Sequence, residues 1–108
     1  MPHYLLQASY TGEAWGTQIQ NPQNRLEAMR PTVEGLGGSI ESAYYAFGEY
    51  DIVAIVEFPD NISIAAFSVV ASAGGAIKAV KTTPLMTANE GIEMMRKAAG
   101  SGYRPPGG

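Results

Sequence analysis

Residues 48–60 read GEYDIVAIVEFPD: a short polar group, Gly48 to Asp51, runs into a stretch that is apolar almost throughout and stops at Pro59-Asp60. A strand with one face in the core and the other in water alternates apolar and polar residues, and this one does not. It follows SIESAYYAF, Ser39 to Phe47, so a hairpin joined by Gly48-Glu49-Tyr50 is the natural reading. If that hairpin sets Tyr45 opposite Ile52, one face carries Ala43, Tyr45, Phe47, Tyr50, Ile52, Ala54, Val56 and Phe58, which is a good core. The other carries Ser42, Tyr44, Ala46, Asp51, Val53, Ile55 and Glu57. Through Tyr44, Val53 and Ile55 the second face is too apolar to be left in water, and such a patch marks an interface. A loop one residue longer would exchange the two sets, yet both would still need cover. The sheet is therefore expected to pack its second face against another copy of the chain.

Working outward from the hairpin, His3 to Tyr10 has the length and the aromatic and aliphatic content of a strand. TGEAWG could form a short helical turn capped by Thr11. A stronger helix start is Asn21-Pro22, from which Leu26, Met29, Val33 and Leu36 recur at helical spacing up to Gly37-Gly38. Pro31 lies inside that run, lacks the N–H that would reach the carbonyl of Glu27, and predicts a kink over 27–31. Such a bend would open a pocket between helix and sheet; a proline tolerated on the solvent side is the commoner use. After Pro59, Asp60 or Asn61 caps a helix through ISIAAFSVVASA that is apolar nearly all round, as if covered on more than one side, and Gly74-Gly75 ends it. Ala76 to Thr83 reads as an edge strand marked by Lys78 and Lys81. Thr87 and Glu90 fit a capping box opening a last helix with a modest stripe of Ile92 and Met95. The order strand, helix, strand, strand, helix, strand, helix is an α+β ferredoxin-like βαββαβ sandwich with an extra C-terminal helix. Residues 1–99 form the domain, and residues 100–108, GSGYRPPGG, are expected to be a mobile tail.

The chain has 108 residues, enough for one core. Seven Lys and Arg are scattered among ten Asp and Glu, for a net charge of -3. Phosphate backbones and anionic membranes both call for clustered basic residues, so neither nucleic acid nor a membrane surface is an expected partner. There is no cysteine, which removes disulfides, thiolate metal sites and cysteine nucleophiles together. No stretch approaches the roughly 20 apolar residues of a membrane span, and MPHYLLQASY does not read as a signal peptide. A cytoplasmic protein is the expectation.

At GEYD, with Gly48, Tyr50 and Asp51 followed by IVAIVEFPD, the chain resembles the GYD-domain proteins, small bacterial proteins described as of unknown function. PHYLLQASYT, RLEAMRPTVEGLGGSIESAYYAFGEYD and VKTTPLMT support the resemblance, which covers roughly residues 2–95. That family is similar to the dimeric α/β-barrel group, in which two ferredoxin-like subunits pack sheet to sheet, and so implies the same assembly as the two-face argument. Pro31 and the Gly- and Pro-rich tail depart from the expected pattern in ways that could alter a pocket or an assembly.

Candidate chemistry is sparse. Gly48 is expected at positive φ, Tyr50 is expected to face the core with a hydroxyl needing a partner, and Asp51 to bond turn amides or the start of a helix. Residues of this kind more often serve the turn than a reaction. The functional reading makes Tyr50 a hydrogen-bond donor and Asp51 a base or orienter at the polar end of a pocket, with Tyr45 and His3 as further ligand-binding candidates. His3 is the only histidine and cannot make a multi-histidine metal site, so no metal and no cofactor is expected. Glu57 would pair with Lys78 or Lys81, or be a buried acid. LGGS and AGGA follow helices where a phosphate loop precedes one, and Ser42, Ser68 and Ser72 lack a nucleophile setting. Trp15, Tyr4, Tyr44 and Tyr45 could stack on a flat ligand, although packing is their commoner use. Two functions remain: a homo-oligomeric domain that binds a small apolar or aromatic ligand between sheet and helices, or a cofactor-independent monooxygenase or isomerase acting on a small aromatic or lactone-like compound. The second rests on fold analogy.

Overall fold

A computed structural model describes residues 1–107. Its elements are β1 (His3–Tyr10), α1 (Gly12–Gln20), α2 (Arg25–Ala28), α3 (Arg30–Gly35), β2 (Ser39–Tyr45), β3 (Ile52–Glu57), α4 (Asn61–Ala73), β4 (Ile77–Leu85) and α5 (Ala88–Ala99). The strands form one antiparallel sheet in the order β2-β3-β1-β4. This is an α+β architecture compatible with the ferredoxin-like sandwich, and β4 takes the edge that Lys78 and Lys81 mark.

One sheet face and the helices share the core. Tyr4, Leu6, Val56, Phe58 and their neighbours on β1 and β3 are buried against Val33 of α3 and Ile64 and Phe67 of α4. A smaller cluster of Ala8, Tyr10 and Ile52 packs under Trp15 of α1 and Leu26 of α2. The strict burial alternation of β1 and β3 is the two-residue period of a strand expressed as packing. Tyr45 pairs with Ile52, as the hairpin reading required.

The helical crossover differs from its expectation. Thr11 caps a full helix, accepting the Ala14 amide, whereas Asn21-Pro22 lies outside any helix. Asn24 takes over as the N-cap of α2, accepting the Glu27 amide at 3.0 Å. The chain then breaks at Met29, and Pro31 sits in the first turn of α3. The missing proline N–H is harmless there and would have interrupted a continuous helix, so the expected kink becomes a break. α4 is covered on one side only, since Ile62, Val69 and Val70 are exposed.

The hairpin connection is also longer than expected. The Ala46 amide bonds the Asp51 carbonyl at 2.8 Å, closing a loop that leaves Phe47 to Tyr50 outside the ladder. Phe47 is fully exposed and Tyr50 partly buried, and neither joins the core. A loop of this length does not need a primed two-residue turn, and Gly48 accordingly has no positive φ. The glycine that matters is Gly38. A β-carbon there would lie 2.6 Å from the Glu57 carbonyl oxygen and 2.8 Å from the Phe58 ring. Gly38→Ala is expected to cost about 1–3 kcal/mol in urea unfolding, because backbone and a buried ring would both have to shift. Gly48→Ala, with open space around it, is expected to stay within about 0.5 kcal/mol of wild type.

α5 stands apart. Its capping box is complete, with the Glu90 amide on Thr87 Oγ1 at 3.1 Å and the Thr87 amide on Glu90 Oε1 at 2.9 Å. None of its residues is buried, and Ile92, Met94 and Met95 are exposed. The chain as a whole is extended, with a radius of gyration of 17.6 Å and a 60 Å long axis, where a compact chain of this length has a radius near about 13 Å.

Candidate functional site

A cavity of about 250 Å³ lies between the sheet and the helices. Its floor is Leu6, Ala8 and Ile52, and its walls are Ala28 and Met29 at the helix break and Phe67 and Ala71 on α4. Ala8, Ala28 and Ala71 leave space where larger side chains on facing elements would meet. The bend around Pro31 thus adjoins the cavity wall, while Pro31 itself is exposed to solvent.

Tyr10 and Arg25 mark the polar end. Both also line a second, more polar hollow of about 480 Å³ bounded by α1 and by Gly74 to Ala76. An apolar chamber therefore adjoins a wetter vestibule at these two residues and at Gly74 and Ala76. The Tyr10 phenol has its pKa raised, chiefly by burial and by the neighbouring Tyr45, while Arg25 pulls in the opposite direction. It stays a protonated donor at neutral pH. The Tyr45 hydroxyl accepts the Arg25 amide at 3.3 Å, which leaves its own proton free to donate.

Of the residues singled out from sequence, Asp51 and Tyr45 come close to this end, whereas Tyr50 and His3 do not. Asp51 Oδ2 accepts the Tyr10 amide at 2.9 Å and the Trp15 indole N–H at 3.2 Å, and the Asp51 amide donates to the Ala8 carbonyl at 2.8 Å. It ties the end of the hairpin to the exit of β1 and to α1, where Trp15 meets Tyr10 edge-on at 5.2 Å. Tyr50 stays in the hairpin loop, and no hydrogen-bond partner for its hydroxyl occurs among the described residues. His3 lies on the opposite face of the sheet, where its Nε2 is 2.9 Å from Glu57 Oε1 and 3.4 Å from Glu41 Oε2. Glu57 also accepts the Ser39 hydroxyl at 3.1 Å. The expected lysine partners are displaced by register, since His3 and Ser39 stand directly opposite Glu57 while Lys78 and Lys81 lie two strands away.

Tyr10 and Arg25 were not singled out from sequence. The alternation of β1 could have flagged Tyr10 as an inward phenol. Arg25 carried no signal, because its position depends on the helix starting after Asn24 instead of at Pro22.

The sequence model of the GYD domain matches residues 4–95, which is most of the chain and all four strands. The chain belongs to the GYD-domain family. No curated protein matches it. In this GYD domain the Asp51 carboxylate is a brace between three elements, Gly48 sits in open loop, and the cavity lies on the helix side of the strand that Asp51 introduces. Among the described residues no helix is long and apolar enough to cross a membrane.

Proposed function

We propose that this GYD-domain protein binds a small apolar or aromatic molecule between sheet and helices, and that it does so as a homodimer or higher oligomer joined through the open sheet face. The cavity at Leu6, Ala8, Ile52, Phe67 and Ala71 carries the ligand reading. Apolar cavities of about 150 Å³ hold benzene, so one of this size suits a bicyclic molecule. The lining supplies Tyr10, Arg25, Thr32 and Ser68 as its polar groups but no carboxylate or histidine, which favours binding over the base-assisted chemistry of a monooxygenase or isomerase. Tyr45 stands behind the polar end, where its hydroxyl accepts the Arg25 amide, and Asp51 acts on the site by holding the Tyr10 amide.

The dimer reading rests on the second sheet face. Register sets Ser42, Ile55, Leu5 and Thr83 in one row and Tyr44, Val53, Gln7 and Lys81 in the next, with Ser39, Glu57, His3 and Leu85 at one end. An apolar centre with a polar rim is the layout of a protein interface. Four strands of about seven residues offer a footprint of only about 400 Å², against the roughly 800 Å² per partner of a standard interface. α5 supplies more. It follows β4, whose last residue Leu85 stands opposite His3 on this face, and its Ile92 and Met95 are exposed. Against a second copy those side chains would extend the contact.

A thermal-shift titration with 2-naphthol tests the ligand reading. At ten times the dissociation constant the folded state should gain about 1.4 kcal/mol, a rise of several degrees in Tm. Ala71→Phe, which fills the cavity from α4, should fold and lose that rise. No rise in the wild type, or an equal rise in the filled variant, would overturn it.

A further inference from the structure

We infer that the molecule held in this cavity is an anion, a small carboxylate with an apolar or aromatic body, and that Arg25 at the mouth recognises its acidic group. The inference rests on the cavity being a ligand site and adds the chemical class. Arg25 is the only cation among the residues lining either the chamber or the vestibule. Among the described residues no carboxylate comes within 4.0 Å of its guanidinium; Glu27 is paired with Arg30, and Glu41 and Glu57 lie beside His3.

The acids that face this region are otherwise placed. Asp51 is engaged by the Tyr10 amide and the Trp15 indole, and Glu13 lines the outer hollow on α1 without approaching Arg25 within ion-pair distance. Beside Arg25 stand two phenols. Tyr10 remains protonated, and the Tyr45 oxygen accepts the Arg25 amide, so each phenol keeps an O–H that can donate. One guanidinium fork and two neutral donors match a single carboxylate better than a doubly charged phosphate. The apolar chamber next to them takes the body of the molecule, and the vestibule keeps the head in reach of water.

The test is calorimetric titration of the full chain with 2-naphthoate and with its neutral counterpart 2-naphthylmethanol. Naphthoate should bind about tenfold tighter, a difference of about 1.4 kcal/mol. Arg25→Gln should abolish that preference, bringing naphthoate down to the affinity that the same variant shows for naphthylmethanol; the Arg25 side chain is exposed and its backbone bond to Tyr45 survives the substitution, so the variant should fold. On wild type, raising salt should weaken naphthoate and not the alcohol. Equal affinities in wild type, or a naphthoate affinity indifferent to salt, would overturn the anion inference and leave the cavity reading standing. Binding of neither compound would remove the cavity reading and this inference with it.

Discussion

Ile55→Lys is expected to leave folded monomers, raising the dissociation constant of the proposed dimer by about a hundredfold or more, which corresponds to about 2.7 kcal/mol. Ile55 lies on the central strand β3, on the face turned away from the helices, with Leu5 opposite it on β1 and Ser42 opposite it on β2. In a lone chain a lysine there can lay its stem along the sheet and carry its ammonium to water. Glu57, two residues along the same face, adds a favourable charge. Against a second sheet the ammonium would be buried without a partner, which costs far more than the packing it replaces. Circular dichroism should show an unchanged fold, and sedimentation velocity a monomer. A variant that stays dimeric at the same concentration would show that this face is not the contact.

Phe58→Ala is expected to remove about 3–5 kcal/mol of stability, a large share of the roughly 5–15 kcal/mol that holds a domain of this size folded. Phe58 is 0% exposed and follows β3 directly. Its ring meets Phe67 of α4 at 6.0 Å between centroids, and Gly38 approaches so closely that a β-carbon would strike the ring. The surrounding backbone is fixed by the Phe58 amide on the Pro2 carbonyl at 3.2 Å, so the cavity left behind could collapse little. Urea unfolding followed by Trp15 fluorescence should show the midpoint falling by about 1–3 M. A loss below about 1 kcal/mol would mean that the helix layer does not depend on this contact.

The parts of the fold that could be read in advance are those governed by side-chain period and by local hydrogen bonding. Ile52, Ala54 and Val56 alternate with Val53, Ile55 and Glu57, and the structure buries the first set completely and the second partly. Thr87 and the pair Asp60-Asn61 were readable as caps because a short polar side chain before an apolar run has one good use, accepting the amide three residues on, and the structure gives that role to Asp60. The hairpin loop was harder. Whether Phe47 and Tyr50 continue the ladder depends on the Ala46 amide meeting the Asp51 carbonyl, a choice that strand propensity does not make. The helix break at Met29 follows from Pro31, but where the preceding helix begins turned on Asn24 competing with Asn21, two caps of equal intrinsic merit.

The candidate site was less legible because it is made by small residues and by one cation. Ala8, Ala28 and Ala71 are unremarkable singly, and only the packing of β1, α2 and α4 brings them to one space. Arg25 gains its meaning from Tyr10 and Tyr45, which lie 15 and 20 positions away along the chain. His3 and Glu57 show the reverse case. From sequence His3 was considered alone and Glu57 beside Lys78 or Lys81, whereas antiparallel register brings His3 Nε2 to 2.9 Å from Glu57 Oε1 on the open sheet face.

That open face decides most between the alternatives. Sedimentation equilibrium of the full chain at micromolar concentration measures directly whether it is covered. A species of twice the 11.4 kDa chain mass, or a larger multiple, is expected. A well-folded monomer across that range would contradict the reading that Val53 and Ile55 face a second copy.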